Sequence, residues 1–131
     1  YRPPHVRITI DGKSFSQPSL MISVMNGRRM GGGFLMAPNA FPDDGKLDYC
    51  IVSSGRRIKL LGLMAGFIKG TQDKKKEVSS GRAQRIEITA ETGSLPAHAD
   101  GETLCEEGKK IIAEIFPSQL DVLVPAGKNR D

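Results

Sequence analysis

Short runs in which apolar and polar residues alternate, separated by Asp-Gly, Gly or Pro, are the feature that most restricts what this chain can become. Between His5 and Phe15, the residues Val6, Ile8 and Ile10 alternate with Arg7 and Thr9, and Asp11-Gly12 follows. A period of two ended by Asp-Gly is the mark of a β-hairpin, because the central positions of its tight turn need positive φ. The run LMISVMN, residues 20–26, is continuously apolar and has the length of a buried strand. LDYCIVSS (47–54), RIEIT (85–89), KKIIAEIF (109–116) and LDVLVP (120–125) read as further strands. SLPAHADGE (94–102) reads as an extended segment, interrupted by Pro96, that reaches a turn at Asp100-Gly101.

One segment changes period. In RRIKLLGLMAGFIKG, residues 56–70, the side chains of Ile58, Leu61, Met64, Ala65 and Ile68 fall on one helical face, and Gly70 can end the helix. TQDKKKEVSSGR (71–82) reads as a polar connection whose Lys74–Lys76 cluster is a solvated loop. About eight short strands with turn signals and one helix imply a mainly β chain, an antiparallel β-sandwich or barrel with one short helix.

The chain has 131 residues, the size of one ordinary domain. With 38% hydrophobic and 26% charged residues it can bury a core, and with 5% aromatics and no tryptophan that core is aliphatic. A net charge of +4 suits an anionic partner such as a phosphate, an acidic lipid surface or nucleic acid, without choosing among them. Scarce aromatics leave little for base stacking, so no nucleic-acid partner is expected. Cys50 and Cys105 lie far apart inside apolar runs and are expected to be buried free thiols. No CxxC or HxxxH spacing supports structural zinc. The longest apolar run is shorter than the roughly 20 residues of a membrane-spanning helix. The opening residues YRPPHVRI lack the apolar stretch of a signal peptide and read as a chain entered partway.

The segment GRRMGGGFLMAPNAFPDDGKLD, residues 27–48, invites a nucleotide reading, but its spacing is wrong. Gly27 and Gly32 are followed by Gly33 and Phe34 where a phosphate loop needs Lys and Ser or Thr, and the dinucleotide pattern fails as well. Gly31–Gly33 are expected to supply positive φ, or to let backbone pass closely, where one strand ends and another begins. PDDGKLD is not a calcium hand, since Asp43 and Asp44 are adjacent and Ile51 stands where glutamate is needed. A tight turn with one carboxylate and exposed carbonyls can nevertheless hold a hard cation such as Mg²⁺, and a plain Asp-Gly turn is the other reading. GxSxG, HExxH and a Ser-His-Asp set are absent. HADGE remains: it is expected to set Asp100 and Glu102 on the same side of an extended chain, a pair that can serve as general base and electrostatic partner.

Taken in order, N-G-x-x-x-G-G-G (26–33), A-P-x-A (37–40), D-D-G-x-L-D (43–48), the IKLLGLMAGFIKG helix, GRAQRIEI, D-G-E (100–102) and FPSQLDVLVP resemble the C-terminal domain of the diacylglycerol kinase-like lipid kinases. That family includes bacterial diacylglycerol kinases, a phosphatidylglycerol kinase type, and the sphingosine and ceramide kinases. The resemblance runs from about His5 to Pro125 and implies the sandwich domain of the NAD kinase/diacylglycerol kinase-like fold. The nucleotide-binding half of such enzymes carries Gly-Asp-Gly-Thr, which this sequence lacks, so residues 1–131 correspond to the second domain alone and are expected to be inactive in isolation. By position, the resemblance implies Glu102 as acceptor of the lipid hydroxyl proton and Asp100 as its support. It further implies a structural Mg²⁺ on the Asp44 carboxylate and the carbonyls of Phe41 and Lys46. Lys46 departs from the apolar residue common there.

The resemblance also implies ATP as co-substrate, a lipid alcohol as acceptor, and a cytoplasmic, peripherally membrane-associated protein for which a homodimer is admissible. Arg28, Arg29, Arg56, Arg57 and Lys59 are basic residues that can help the domain sit on an anionic membrane, an ordinary solvated face being the favoured reading for most of them. Two other readings are a stand-alone β-sandwich module for an anionic ligand or membrane surface, and a nucleotide-substrate kinase of the NAD kinase type. The glycine and D-D-G-x-L-D signatures favour the lipid branch.

Overall fold

The computed structural model describes residues 3–53 and 57–123, with side chains from residue 61 onward in the one helix. Its elements are β1 (His5–Ile10), β2 (Lys13–Met25), β3 (Leu47–Ser53), α1 (Arg57–Lys69), a 3₁₀ turn (Gln72–Lys74), β4 (Val78–Ala83), β5 (Arg85–Ala90), β6 (Leu95–Ala99), β7 (Glu102–Gly108) and β8 (Lys110–Glu114). All pairings are antiparallel, in the order β4-β3-β2-β1-β5-β8, with β6 and β7 forming a separate two-stranded sheet.

The first hairpin is as its sequence suggests. Asp11 and Gly12 take φ of 45° and 87°, and Ile8 pairs with Phe15 across the ladder. Asp11 also accepts the Gln84 and Arg85 N–H groups on its carboxylate, at 3.0 and 2.9 Å, which fixes the turn against β5. The hairpin arm and the apolar run 20–26, expected as two strands, are one thirteen-residue strand. Its first half pairs with β1 and its second half with β3, and the register slips between Ser19 and Met21, just after Pro18. Proline has no N–H to give to a ladder, and such slips are where a strand can bend from one sheet into another.

The bend makes two layers. β1, β5 and β8 with the start of β2 form one, and β3 and β4 with the end of β2 form the other. Between them lie Val6, Ile8, Ile86 and Ile88 from the first layer and Ile51 and Ala83 from the second, with Leu95 of β6 at the margin. Val6, Ile8 and Ile86 are fully buried. Because side chains alternate along β3, its Cys50 and Val52 point to the opposite face, where they meet Met36, Leu63 and Phe67. α1 therefore lies outside the second layer.

Three expectations change. The buried face of α1 is Leu63, Gly66 and Phe67, whereas Leu61, Met64 and Ile68 are exposed. The stripe is apolar as expected but points outward. Residues 78–83 of the supposed polar connection form β4, paired to β3 from Leu47–Ala83 to Val52–Val78, and Gln72 is wholly buried. Its Nε2 donates to the carbonyls of Leu35 and Met36, at 2.7 and 3.1 Å, joining the loop before β3 to the end of α1. Residues 120–123 form no strand; Val124 and Pro125, like Ser54, Arg56 and the side chains of Arg57, Ile58 and Lys59, fall outside the described residues. Both cysteines are free, but only Cys50 is buried, Cys105 being half-exposed.

The glycine run closes a small loop rather than joining regular strands. Met30 and Phe34 exchange backbone hydrogen bonds at 2.9 and 3.2 Å around Gly31 (φ 57°) and Gly32 (φ 74°). No atom would lie within 4 Å of a Cβ on Gly32, so its backbone conformation rather than close packing is what glycine supplies there, and Gly33 shows neither a positive φ nor a close neighbour. Gly70 differs. With φ of 68° it ends α1, and the Thr71 N–H reaches back to the Gly66 carbonyl at 2.9 Å. An added Cβ would stand 3.2 Å from Pro38 and 3.3 Å from Leu35. Gly32→Ala is expected to cost about 1–2 kcal/mol for a left-handed alanine. Gly70→Ala should lose that and about 1–3 kcal/mol more from overpacking. Denaturant titration of both variants checks this, and equal losses would remove the packing role of Gly70.

Candidate active-site hairpin and metal loop

The hairpin that carries the D-G-E residues is rooted where β5 ends. The N–H groups of Glu91 and Thr92 donate to the His5 carbonyl at 2.8 and 3.1 Å, and the Glu91 carboxylate receives His5, Arg7 and Ser16. Those three donors hold the Glu91 carboxyl below its usual pKa. On the other side Lys109 Nζ donates to the Gly93 carbonyl at 2.6 Å. Leu95 plugs into the core, and beyond it nearly every residue of β6 and β7 is exposed.

At the tip, Asp100 (φ 51°) and Gly101 (φ 86°) form the turn, and Glu102 opens β7 opposite Ala99. This corrects the expected geometry. Asp100 and Glu102 are not neighbours on one side of an extended strand, because a left-handed turn residue lies before the strand that carries Glu102. Both carboxylates are exposed and have no hydrogen-bond or ion-pair partner among the described residues. They are therefore free to meet something outside the domain.

The second group of candidates lies in the loop before β3. The Asp44 N–H donates to the Phe41 carbonyl at 3.3 Å, and Asp44 Oδ1 accepts the Lys46 N–H at 2.9 Å. Gly45, with φ of 71°, lets the chain turn between them and packs on Pro117. Phe41, Asp44 and Lys46 are thus brought into a single tight turn. Asp44 and the Phe41 carbonyl retain lone pairs, and such hard oxygen donors suit Mg²⁺ with water completing its shell. Among the described residues no three acidic, histidine or cysteine side chains converge, so any cation there depends on carbonyl oxygens.

Two arginines hold this loop. Arg28 lies over the Phe41 ring, 5.1 Å from its centroid, and donates to the Ala40 carbonyl at 3.2 Å. Arg82 from β4 lies 5.9 Å from the same centroid and donates to the Asn39 carbonyl at 2.5 Å. It also donates to Asp48 Oδ1 at 3.3 Å and stands 3.8 Å from Asp44 Oδ2. Asp48 is buried and its Oδ2 has no hydrogen-bond partner among the described residues. Burial pushes its carboxyl pKa up against the pull of Arg82, and the nearby Asp44 charge adds to the rise. Asp48, Tyr49, Ser80 and Arg82 line a cleft of about 200 Å³ beside the loop.

Sequence reasoning missed Arg82, because β4 (VSSGRA) has no apolar alternation to reveal it as a strand. Asp48 was visible only as the last letter of D-D-G-x-L-D. No hydrogen bond or ion pair among the described residues links the hairpin tip to the metal loop.

Residues 1–124 match the family model described as the YegS C-terminal NAD kinase beta sandwich-like domain. A diacylglycerol kinase of Mycobacterium tuberculosis is 35% identical over 125 residues, covering 95% of this chain and 39% of that protein. A probable lipid kinase YegS-like protein of Pseudomonas aeruginosa is 32% identical over 108 residues, covering 82% of this chain and 34% of its own length. Two crystal structures from Bacillus anthracis str. Sterne share the fold. One has a TM-score of 0.64 and 26% identity, covering 85% of this chain and 38% of that one. The other, a diacylglycerol kinase, has a TM-score of 0.56 and 25% identity, covering 85% of this chain and 40% of that one. The chain thus spans between about a third and two fifths of the length of these relatives. With the match running from the first strand through the D-D-G-x-L-D loop and the D-G-E hairpin, this chain belongs to the YegS C-terminal NAD kinase beta sandwich-like domain family.

Proposed function

We propose that this chain is the acceptor-side domain of an ATP-dependent lipid kinase that phosphorylates a diacylglycerol-like alcohol. In this reading the nucleotide half of the enzyme lies outside residues 1–131, and the isolated domain does not transfer phosphate. The exposed, unpartnered Glu102 at the tip of a projecting hairpin carries the proposal, with the names of the relatives as its context. A carboxylate engaged inside its own domain is poorly placed to take a proton from a substrate. Glu102 is not so engaged.

An alcohol is a weak nucleophile at neutral pH, and phosphoryl transfer depends on positioning and on charge stabilisation. Glu102 accepts the hydroxyl proton on its carboxylate as the alcohol oxygen attacks the γ-phosphorus of ATP, whose bond to the bridging oxygen breaks so that ADP leaves. Asp100, fixed in the turn beside it, adds negative charge and a second polar contact at the hairpin tip. The metal loop fits a structural Mg²⁺ held by Asp44 and the carbonyls of Phe41 and Lys46. The Arg82 guanidinium beside Asp44 opposes cation binding, whereas the buried Asp48 carboxylate, with Oδ1 paired to Arg82 and Oδ2 unpaired, favours positive charge nearby. Mg²⁺ supplies charge neutralisation and rigidity to the loop. The whole protein works in the cytoplasm at the membrane surface, where such acceptors reside.

In the whole protein, Glu102→Gln is expected to lower lipid phosphorylation by about 10²–10⁴ while circular dichroism and melting stay as in wild type. Near wild-type turnover would end the assignment of the base. For the metal loop, the measurement is thermal melting with and without Mg²⁺. At about 100 times its dissociation constant the ion should stabilise the wild type by about 2.7 kcal/mol. Asp44→Asn should lose most of that gain, and an undiminished gain would place the ion elsewhere.

A further inference from the structure

The apolar stripe of α1 has no covering in this domain. Leu63 and Phe67 anchor the helix on Cys50 and Val52 of β3, while Leu61, Met64 and Ile68 on the other side are 73%, 51% and 58% exposed. Spaced three and four apart, they form one continuous ridge along about two turns. A soluble helix normally buries such a stripe and turns its charges outward. This one buries Leu63 and Phe67 and leaves three further large apolar side chains uncovered by this domain.

The charge near the ridge is mostly positive. The sequence of α1 holds Arg57, Lys59 and Lys69 and no acidic residue. Lys69 and the neighbouring Lys74, Lys75 and Lys76 are all exposed. Among the nearby acids, Asp73 accepts the Ser80 hydroxyl at 2.6 Å and Glu77 is also engaged. An exposed apolar ridge with Lys69 on the same helix and three more exposed lysines just after it in the sequence suits contact with an anionic lipid surface. No helix among the described residues is long and apolar enough to cross a membrane, so any lipid contact of α1 is of the surface kind. The remaining large exposed apolar side chains include Ile112, Phe116, Leu120, Val122 and Leu123. They belong to β8 and the segment after it, at the sheet edge opposite β4, and so offer other parts of the protein a separate apolar surface.

We infer that the outer face of α1, through Leu61, Met64 and Ile68 with Lys69 and Lys74–Lys76, docks the protein on an anionic lipid surface. This deepens the lipid-kinase reading and rests on it for its biological purpose. It differs from the arginine set suggested by sequence alone, because the apolar part of the contact comes from the exposed face of α1.

The test uses the whole protein, without ATP, and vesicles of phosphatidylcholine alone or mixed with phosphatidylserine. Wild type should sediment with the mixed vesicles and much less with the neutral ones. The pair Met64→Glu and Ile68→Glu, and separately the triple Lys74→Glu, Lys75→Glu and Lys76→Glu, should each weaken that binding about tenfold or more. Phosphorylation of a short-chain diacylglycerol held below its aggregation concentration should be unchanged in both. Unaltered vesicle binding in both variants overturns the inference. So does a marked fall in melting temperature or a change in sedimenting mass with the Met64/Ile68 pair, since the ridge would then be covered by other chain or by a second copy. If no lipid alcohol is phosphorylated by wild type while vesicle binding still depends on these residues, the kinase reading fails and the docking face stands.

Discussion

The passage of β2 from one layer to the other is the constraint on which the remaining structure depends. A straight strand of thirteen residues would extend a single open sheet. Pro18, unable to donate to a ladder, and the register slip that follows let the strand pair with β1 first and β3 afterwards. The aliphatic side chains of both layers then meet at Val6, Ile8, Ile51 and Ile86 without any aromatic residue among the fully buried ones. The same bend gives β3 two apolar faces, one for the core and one for α1. It also brings β4, a strand poor in apolar residues, to the edge where Arg82 can reach the loop before β3.

Arg82 is the connection between fold and candidate chemistry. Its backbone extends the ladder opposite Asp48, and its guanidinium reaches Asp48, Asp44, the Asn39 carbonyl and the Phe41 ring. One side chain thus ties the D-D-G-x-L-D loop to the second layer. The buried Asp48 carboxylate is the costly element of this arrangement, with one oxygen paired and the other not. Its cost is easiest to understand if the loop is shaped to take positive charge. The hairpin of Glu102 is organised differently: rigid at its root, through Glu91, Lys109 and Leu95, and open at its tip.

What could be read from the sequence followed from how local each signal was. The Asp11-Gly12 hairpin, β3, β5 and β8 announce themselves by alternation and turn chemistry within a few residues. The D-D-G-x-L-D and D-G-E segments stood out because their order along the chain resembled a family, which the family match from residue 1 to 124 bears out. β4 was invisible because a strand at the edge needs few apolar residues, and Gln72 because a buried amide satisfied by two carbonyls leaves no pattern. The helix was legible but the way it faces was not: periodicity shows that an apolar stripe exists, not which side the rest of the protein covers. The glycine run looked like a nucleotide loop and proved to be a short turn between Met30 and Phe34. Asp100 and Glu102 were located in sequence, but their relation in space required the left-handed turn to be seen.

Among the described residues the domain leaves three places open: the Glu102 hairpin, the segment after β8, and the outer face of α1. Such a domain is suited to share its work with another part of the protein and with a lipid surface. The most direct test of the central claim is transfer of the labelled γ-phosphate of ATP to a panel of lipid alcohols by the whole protein. The expected result is a labelled phospholipid from a diacylglycerol or a close analogue, formed only with Mg²⁺ present. Absence of label in every lipid, from an enzyme shown to be folded, would contradict it.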